Sequence, residues 1–268
     1  MGGFPGKGDG FMFINVEKKN HLAILTMNRP KCLNAFNTAM IHELEERYYE
    51  IESDDDVFVT VITGAGRSFV SGADISEMAD MTASQAKRFS YNANNTFLKL
   101  ENSSKPVIAA INGFAIGGGC ELAMACDIRL ASDRAVFAQT EVTLGITPGF
   151  GGTQRLPRII GSSRAAQMLF TGSFIDAYTA RDWGLVSEVY PHEELMPRAI
   201  AMAETIAAKA QMGVRQAKVS LHRGLYTDMY TGTSFEAEAF GLCFSTEDQK
   251  DAMHAFLDKR PITEYKNR

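Results

Sequence analysis

The stretch that most limits how this chain can fold runs from Val107 to Ala125, VIAAINGFAIGGGCELAMA. Val107 to Ile111, after Pro106, is a β-branched and alanine run suited to a buried strand, and Asn112-Gly113 ends it. Gly117, Gly118 and Gly119 then precede Cys120 to Ala125, whose small and apolar side chains suit a tightly packed helix. Glycine at such a turn lets another group approach the backbone with no Cβ in the way, and the first helical N–H groups have no intrahelical partner. An anionic oxygen can take that place, favoured by the helix dipole. Taken alone, the triple glycine is equally well explained by close packing.

Glu121 follows the glycines within one helical turn, among Leu122, Ala123, Met124 and Ala125. A carboxylate buried there has to be paired, protonated or used. Arg129 and Arg155 are the candidate structural partners. Glu141 has similar surroundings, between Phe137-Ala138-Gln139-Thr140 and Val142-Thr143-Leu144-Gly145, and two such carboxylates beside one anion-binding turn point to acid/base chemistry. Val57 to Thr63, VFVTVIT, predicts another strand, which Gly64-Ala65-Gly66 ends before Phe69-Val70-Ser71-Gly72-Ala73-Asp74. Asp74 with Glu77 has the form of a helix N-cap and capping box, so capping is the favoured role for Asp74. That role puts the Ala73 backbone beside a helix N-terminus. Two strand-to-helix turns, each offering an N–H to one oxygen, would form an oxyanion hole.

These segments, with Asn28-Arg29-Pro30-Lys31-Cys32-Leu33-Asn34-Ala35, Gly172, the Gly184-Leu185-Val186 turn and Phe256-Leu257-Asp258-Lys259-Arg260, make the chain similar to the crotonase superfamily, and within it to the enoyl-CoA hydratases. The resemblance covers nearly everything after the first dozen residues. It implies an acyl-CoA substrate whose thioester oxygen sits between the N–H groups of Ala73 and Gly118. It also implies two glutamates acting on a water that adds across the C2–C3 double bond, with Glu121 as the base that activates water and Glu141 as the acid that protonates C2. The same resemblance assigns CoA contacts to Ser71, Ala73, Asp74 and Ile75, to Lys31, to Gly118, and to Phe256 and Lys259 reaching across from a neighbouring subunit. Without it, Phe256 reads as core and Lys259 as a solvated helix-end charge. Gln139 and Gly149 are expected only to shape the site. Thr140 departs from the commoner proline, and Phe150 from a small residue, which puts acyl-chain preference in question. The implied fold is an α/β crotonase-like spiral of repeated β-β-α units over residues 1–195, followed by a helical oligomerisation region over residues 196–268. Trimers pairing into hexamers are the implied assembly, and coenzyme A enters as part of the substrate with no further cofactor.

Patterning alone supports mixed α/β followed by helices. Met12 to Val16 and Leu22 to Met27 predict a hairpin across Lys18-Lys19-Asn20. Helices are expected over Thr38–Ile51, Ser84–Leu100, Asp176–Trp183, Glu193–Lys209, Val214–Leu225 and Ser234–Leu257, with Met78 to Thr82 a lip of the acyl pocket. A chain of 268 residues can bury about 75% of its extended surface. No stretch approaches the ~18–20 apolar residues of a membrane span, and Met1 to Gly10 lacks the apolar core of a signal peptide, so a cytoplasmic location is expected. Cys32, Cys120, Cys126 and Cys243 form no C-x-x-C pair, as for reduced thiols. No metal site is expected, since His42-Glu43 and His192-Glu193 lack a second histidine at the zincin spacing. The serine-hydrolase elbow, the P-loop and the dinucleotide fingerprint are also missing. Nucleic-acid binding is disfavoured by a net charge of −5 and by Glu43, Glu45, Glu46, Glu50 and Glu52 on one helix. The competing readings are a Δ3,Δ2-enoyl-CoA isomerase, which does not need both carboxylates, another acyl-CoA hydrolase or lyase of the superfamily, and a non-catalytic binding protein.

Overall fold

Each pass of the chain lays one strand into each of two sheets before a helix returns it. The computed structural model describes residues 13–262 and 264–267. Strands β1 (Ile14–Lys19) and β2 (Leu22–Met27) form an antiparallel hairpin. Its turn is Asn20-His21, with φ of 51° and 64°, as a two-residue hairpin turn requires. Lys18 and Lys19, expected in the turn, belong to β1 because the ladder closes on the Lys19–Leu22 pair. Met12 lies outside the described residues.

After α1 (Thr38–Glu52), three units follow: β3 (Val59–Gly64), β4 (Ser68–Val70), α2 (Ile75–Met78) and α3 (Ala83–Asn102); β5 (Val107–Ile111), β6 (Phe114–Ile116) and α4 (Gly118–Ala125); β7 (Ile128–Ser132), β8 (Val136–Ala138), α5 (Gly152–Ile160) and α6 (Ser162–Thr171). Then β9 (Phe174–Asp176), α7 (Ala177–Asp182) and β10 (Glu188–Tyr190) close the spiral. The larger sheet runs β1-β2-β3-β5-β7-β10 and the smaller β4-β6-β8-β9. Pairing is parallel from β2 through β10 in the first and from β4 through β8 in the second, the signature of helical crossovers. The short strands β9 and β10 flank the helix expected over Asp176–Trp183, in a region where sequence patterning shows mostly helix and no strand is expected.

The larger sheet is covered on both faces, which is why every residue of β3 and β5 is buried. Val59, Val61, Ile108, Ala110 and Leu130 pack on one side against Leu195, Ala199 and Ala203 of α8 (His192–Ala207). Ile62, Val107, Ala109 and Ile111 point the other way into the main core with Phe36, Phe69, Phe97 and Phe137. The division after residue 195 thus falls inside a helix that packs on the sheet.

Beyond it, α9 (Gln211–Leu225), α10 (Met229–Cys243) and α11 (Glu247–Leu257) are less covered. The single helix expected over Ser234–Leu257 is broken, because Thr246 N-caps α11 by accepting from Gln249 N–H. None of the residues of α10 is buried, and Met229, Tyr230, Phe240 and Leu242 are exposed on it. Among the described residues no helix is long and apolar enough to cross a membrane.

Candidate active site

The three glycines that open α4 each answer a different close approach. A Cβ on Gly119 would lie 1.8 Å from the Val70 carbonyl oxygen, so only glycine lets α4 start under β4. Gly117 has φ +49°, and a Cβ there would lie 2.6 Å from Glu141 Oε1. One on Gly118 would lie 2.9 Å from the Phe150 ring and 3.6 Å from the Gly72 carbonyl carbon. The Gly117-Gly118 turn therefore comes up against the Gly72-Ala73 turn.

That second turn is held from the loop before α1. Phe36 N–H donates to the Gly72 carbonyl at 2.8 Å, and Asp74 N–H donates to the Phe36 carbonyl at 2.7 Å. This parallel bridge uses the groups on either side of Ala73 and leaves the Ala73 N–H outside it. As the first residue of α4, Gly118 has no intrahelical acceptor for its own N–H. Ser71, Ala73, Ile75, Gly118, Glu121 and Glu141 all line one cavity of about 770 Å³. Met78, Met81, Phe89, Leu144, Ile146 and Phe150 supply its apolar wall.

Glu121 is 1% exposed, and its Oε1 accepts from Phe150 N–H at 2.8 Å and Gly152 N–H at 2.6 Å. Neither candidate cation meets it. Arg155 donates to Glu101 and to the Phe150 carbonyl, while Arg129 donates to the carbonyls of Leu185 and Cys126. Burial, then the charge of Glu141, push the Glu121 carboxyl up to about 8 against the two backbone bonds. Glu141 begins a 3₁₀ turn over Glu141–Leu144. Its Oε2 is buried with no hydrogen-bond partner, and burial raises its pKa as well.

The other expected ligand-binding residues behave differently. Asp74 accepts from Ser76 N–H at 3.0 Å and pairs with Arg29 at 2.7 Å, so it caps α2. The capping box with Glu77 does not form, because that carboxylate accepts instead from the Thr38 N–H and hydroxyl of α1. Lys31 lies in a 3₁₀ turn, and Phe256 is 83% exposed near the end of α11. Lys31, Asp74, Phe256 and Lys259 are not in the cavity wall of their own chain. Phe150 packs edge-on against Phe89 and Phe97, with ring centroids 5.3 and 5.9 Å away. The lip expected over Met78 to Thr82 supplies Met78 and Met81 to that wall. Sequence reasoning missed Phe89 and the Phe150 and Gly152 N–H donors, since nothing local marks a loop N–H as aimed at a helix 29 residues earlier.

Residues 17–267 match the Enoyl-CoA hydratase/isomerase family. The chain belongs to that family. A short-chain-enoyl-CoA hydratase of Clostridium acetobutylicum is 51% identical, over 94% of this chain and 97% of that protein. A crotonyl-CoA hydratase of Syntrophomonas wolfei is 48% identical, over 92% and 95%. A solved enoyl-CoA hydratase of Bacillus anthracis superposes with a TM-score of 0.91 at 38% identity, over 96% of this chain and all of that one, and the two-sheet spiral is the crotonase fold.

Proposed function

We propose that this chain hydrates a short-chain trans-2-enoyl-CoA to the 3-hydroxyacyl-CoA. The observation that carries the reading is a buried Glu121 and a half-buried Glu141 whose Oε2 is itself buried, neither paired with a cation among the described residues, in one cavity with two free-standing backbone N–H groups. Addition of water to C3 drives charge onto the thioester oxygen. Donors at Ala73 and Gly118 would receive it, each such donor being worth about 3 kcal/mol in a transition state. One proton must leave the water and another must reach C2, so the site has to hold one carboxylate and one carboxylic acid.

The surroundings favour sharing a single proton between the two glutamates near neutrality. With Glu141 neutral, the repulsion that raises Glu121 is relieved. The two N–H bonds on Glu121 Oε1 then favour the charge there. Glu121 acts as base toward water and Glu141 as acid toward C2, with the roles reversed for dehydration. An isomerase reading leaves one of these carboxylates without work. The names of the relatives at 51% and 48% identity agree with hydration of short substrates. Coenzyme A arrives within the substrate, and water addition calls for no redox cofactor.

We read the exposed apolar residues of α10 and α11 as a surface for self-association into a trimer or a pair of trimers. There Phe256 and Lys259 would reach the CoA of a neighbouring subunit. The described cysteines are all free, which agrees with a cytoplasmic setting. Loss of enoyl absorbance with crotonyl-CoA tests the activity. Rapid loss in the wild type, abolished in Glu121→Gln with CoA binding retained, supports the reading, and tight acyl-CoA binding without turnover sinks it.

A further inference from the structure

Helix α3 carries a polar edge that the chemistry above does not use. Ser90, Asn94 and Glu101 are spaced by four and seven residues and so share one helical face, while Phe89, Ala93, Phe97 and Leu100 fill the core beside them. Ser90 Oγ donates to the Gly149 carbonyl at 2.5 Å, and Asn94 Nδ2 donates to the same oxygen at 2.7 Å. Glu101 Oε2 accepts from Arg155 Nε at 3.0 Å and Nη2 at 2.7 Å, and Arg155 Nη1 donates to the Phe150 carbonyl at 3.0 Å. Two successive carbonyls of the loop before α5 are therefore held, the first directly from α3 and the second through Arg155 of α5, which Glu101 of α3 fixes.

The consequence follows from peptide planarity. The Gly149 carbonyl and the Phe150 N–H belong to one trans peptide unit and point opposite ways, so holding the oxygen fixes the direction of the hydrogen. That N–H is one of the two that meet Glu121 Oε1. Glycines at 149 and 151, the latter at φ +108°, give the loop little stiffness of its own. We propose that Ser90, Asn94 and the Glu101–Arg155 pair are positioning residues, a brace that sets the loop peptides so that Glu121 is held with one oxygen fixed and the other presented to water. The proposal rests on Glu121 being the base. It also makes one element serve two ends of the reaction, because Ala86, Phe89 and Ser90 of α3 line the acyl cavity.

The test measures kcat and KM for crotonyl-CoA in Ser90→Ala, Asn94→Ala and the double variant, each in the wild-type and Glu121→Gln backgrounds. Arg155→Lys is an added variant, since removing a buried charge outright endangers folding. The double variant is expected to lose on the order of 10- to 100-fold in kcat with KM within about twofold, the scale on which a misaimed group costs rate. In the Glu121→Gln background the same substitutions should cost little more. An equal further loss there, or a rise in KM matching the fall in kcat, would overturn the brace. Wild-type kcat in the double variant beside an inactive Glu121→Gln would overturn the brace alone. Full turnover in Glu121→Gln would overturn the base assignment and the brace together.

Discussion

Glu121 and Asp127 stand six residues apart, one inside α4 and the other just beyond its end, and they show two fates of a carboxylate taken out of water. Burial opposes the charge on Asp127, yet the bond to His222 Nε2 at 2.6 Å and the Lys218 ammonium at 2.9 Å hold its pKa below the ordinary value. Val107 N–H adds a third bond at 2.7 Å. Lys218 also donates to the carbonyls of Leu100 and Lys105, so the α9 helix is pinned to the core at a charge that is fully accounted for. Glu121 has two N–H donors, no ion-pair partner among the described residues, and another carboxylate nearby. The difference teaches that burial alone does not mark a functional acid. On the proposed assignment, what marks it is burial left uncompensated beside a cavity.

The hardest blow to that comparison comes from removing the charge at each site and reading activity and stability separately. Glu121→Gln and Glu141→Gln are each expected to lower kcat by on the order of 10²- to 10⁴-fold, the range for lost acid/base groups, with folding intact. Steady-state hydration of crotonyl-CoA measures the first and thermal melting the second. A Glu121→Gln enzyme that melts early while retaining its rate would make the residue structural.

Asp127→Asn should do the reverse. It leaves Lys218 facing a neutral amide in a buried site, a loss of about 3–5 kcal/mol in unfolding free energy, with activity per folded molecule near wild type. Urea denaturation checks it. A stable Asp127→Asn with depressed kcat would erase the distinction between the two carboxylates.

Much of this was legible in the chain, for reasons that differ by region. β-Branched and apolar runs show β3 and β5, because strands covered on both faces bury the side chain at every position. The glycines and the two glutamates show the cavity, because each is a local exception to its surroundings. Strands β9 and β10 have three residues each and carry no period to read. Thr246 breaks a helix through a cap that competes with continuation, and either outcome is compatible with its sequence. The partners of charged groups were least legible. Arg155 was a candidate for Glu121, but its true partner Glu101 is 54 residues away, and Lys218 meets Lys105 from 113 residues away.

A pH series sharpens the contrast through its sign. With Glu121 raised from 4.5 to about 8 beside a Glu141 that burial also raises, the pair keeps in the folded state a proton that the unfolded chain has released, so folding stability falls as pH rises through that window. The slope from one group is at most about 1.4 kcal/mol per pH unit. Glu121→Gln should flatten that part of the profile and melt later than wild type near pH 8. Asp127, held below 3.8, acts the other way: its stabilisation is present above that value and disappears as pH falls through its folded pKa. An unchanged alkaline slope in Glu121→Gln would show that the pair holds no shared proton in the folded state.

Asp74 supplies the mildest case and the narrowest test. Its side chain is only 14% exposed and is paired with Arg29, but it caps a short helix at the edge of the cavity rather than in its wall. The Ser76 hydroxyl bond at 2.6 Å, followed by Arg29, holds its pKa down, so its contribution too is lost only below 3.8 as pH falls through the folded value. Asn at this position keeps an oxygen for the Ser76 N–H and gives up only the charge, while Arg29 retains its bond to the Ala35 carbonyl at 2.9 Å. Asp74→Asn should therefore cost no more than about 1 kcal/mol near neutrality, and the difference from wild type should vanish in acid. Because Asp74 follows Ala73, the same variant probes whether a compensated carboxylate beside the proposed oxyanion turn affects the rate. A kcat within about twofold of wild type, far below the effect of a lost acid/base group, keeps Asp74 with Asp127. A tenfold fall at unchanged stability would mean that compensation by a cation is not enough to make a carboxylate merely structural.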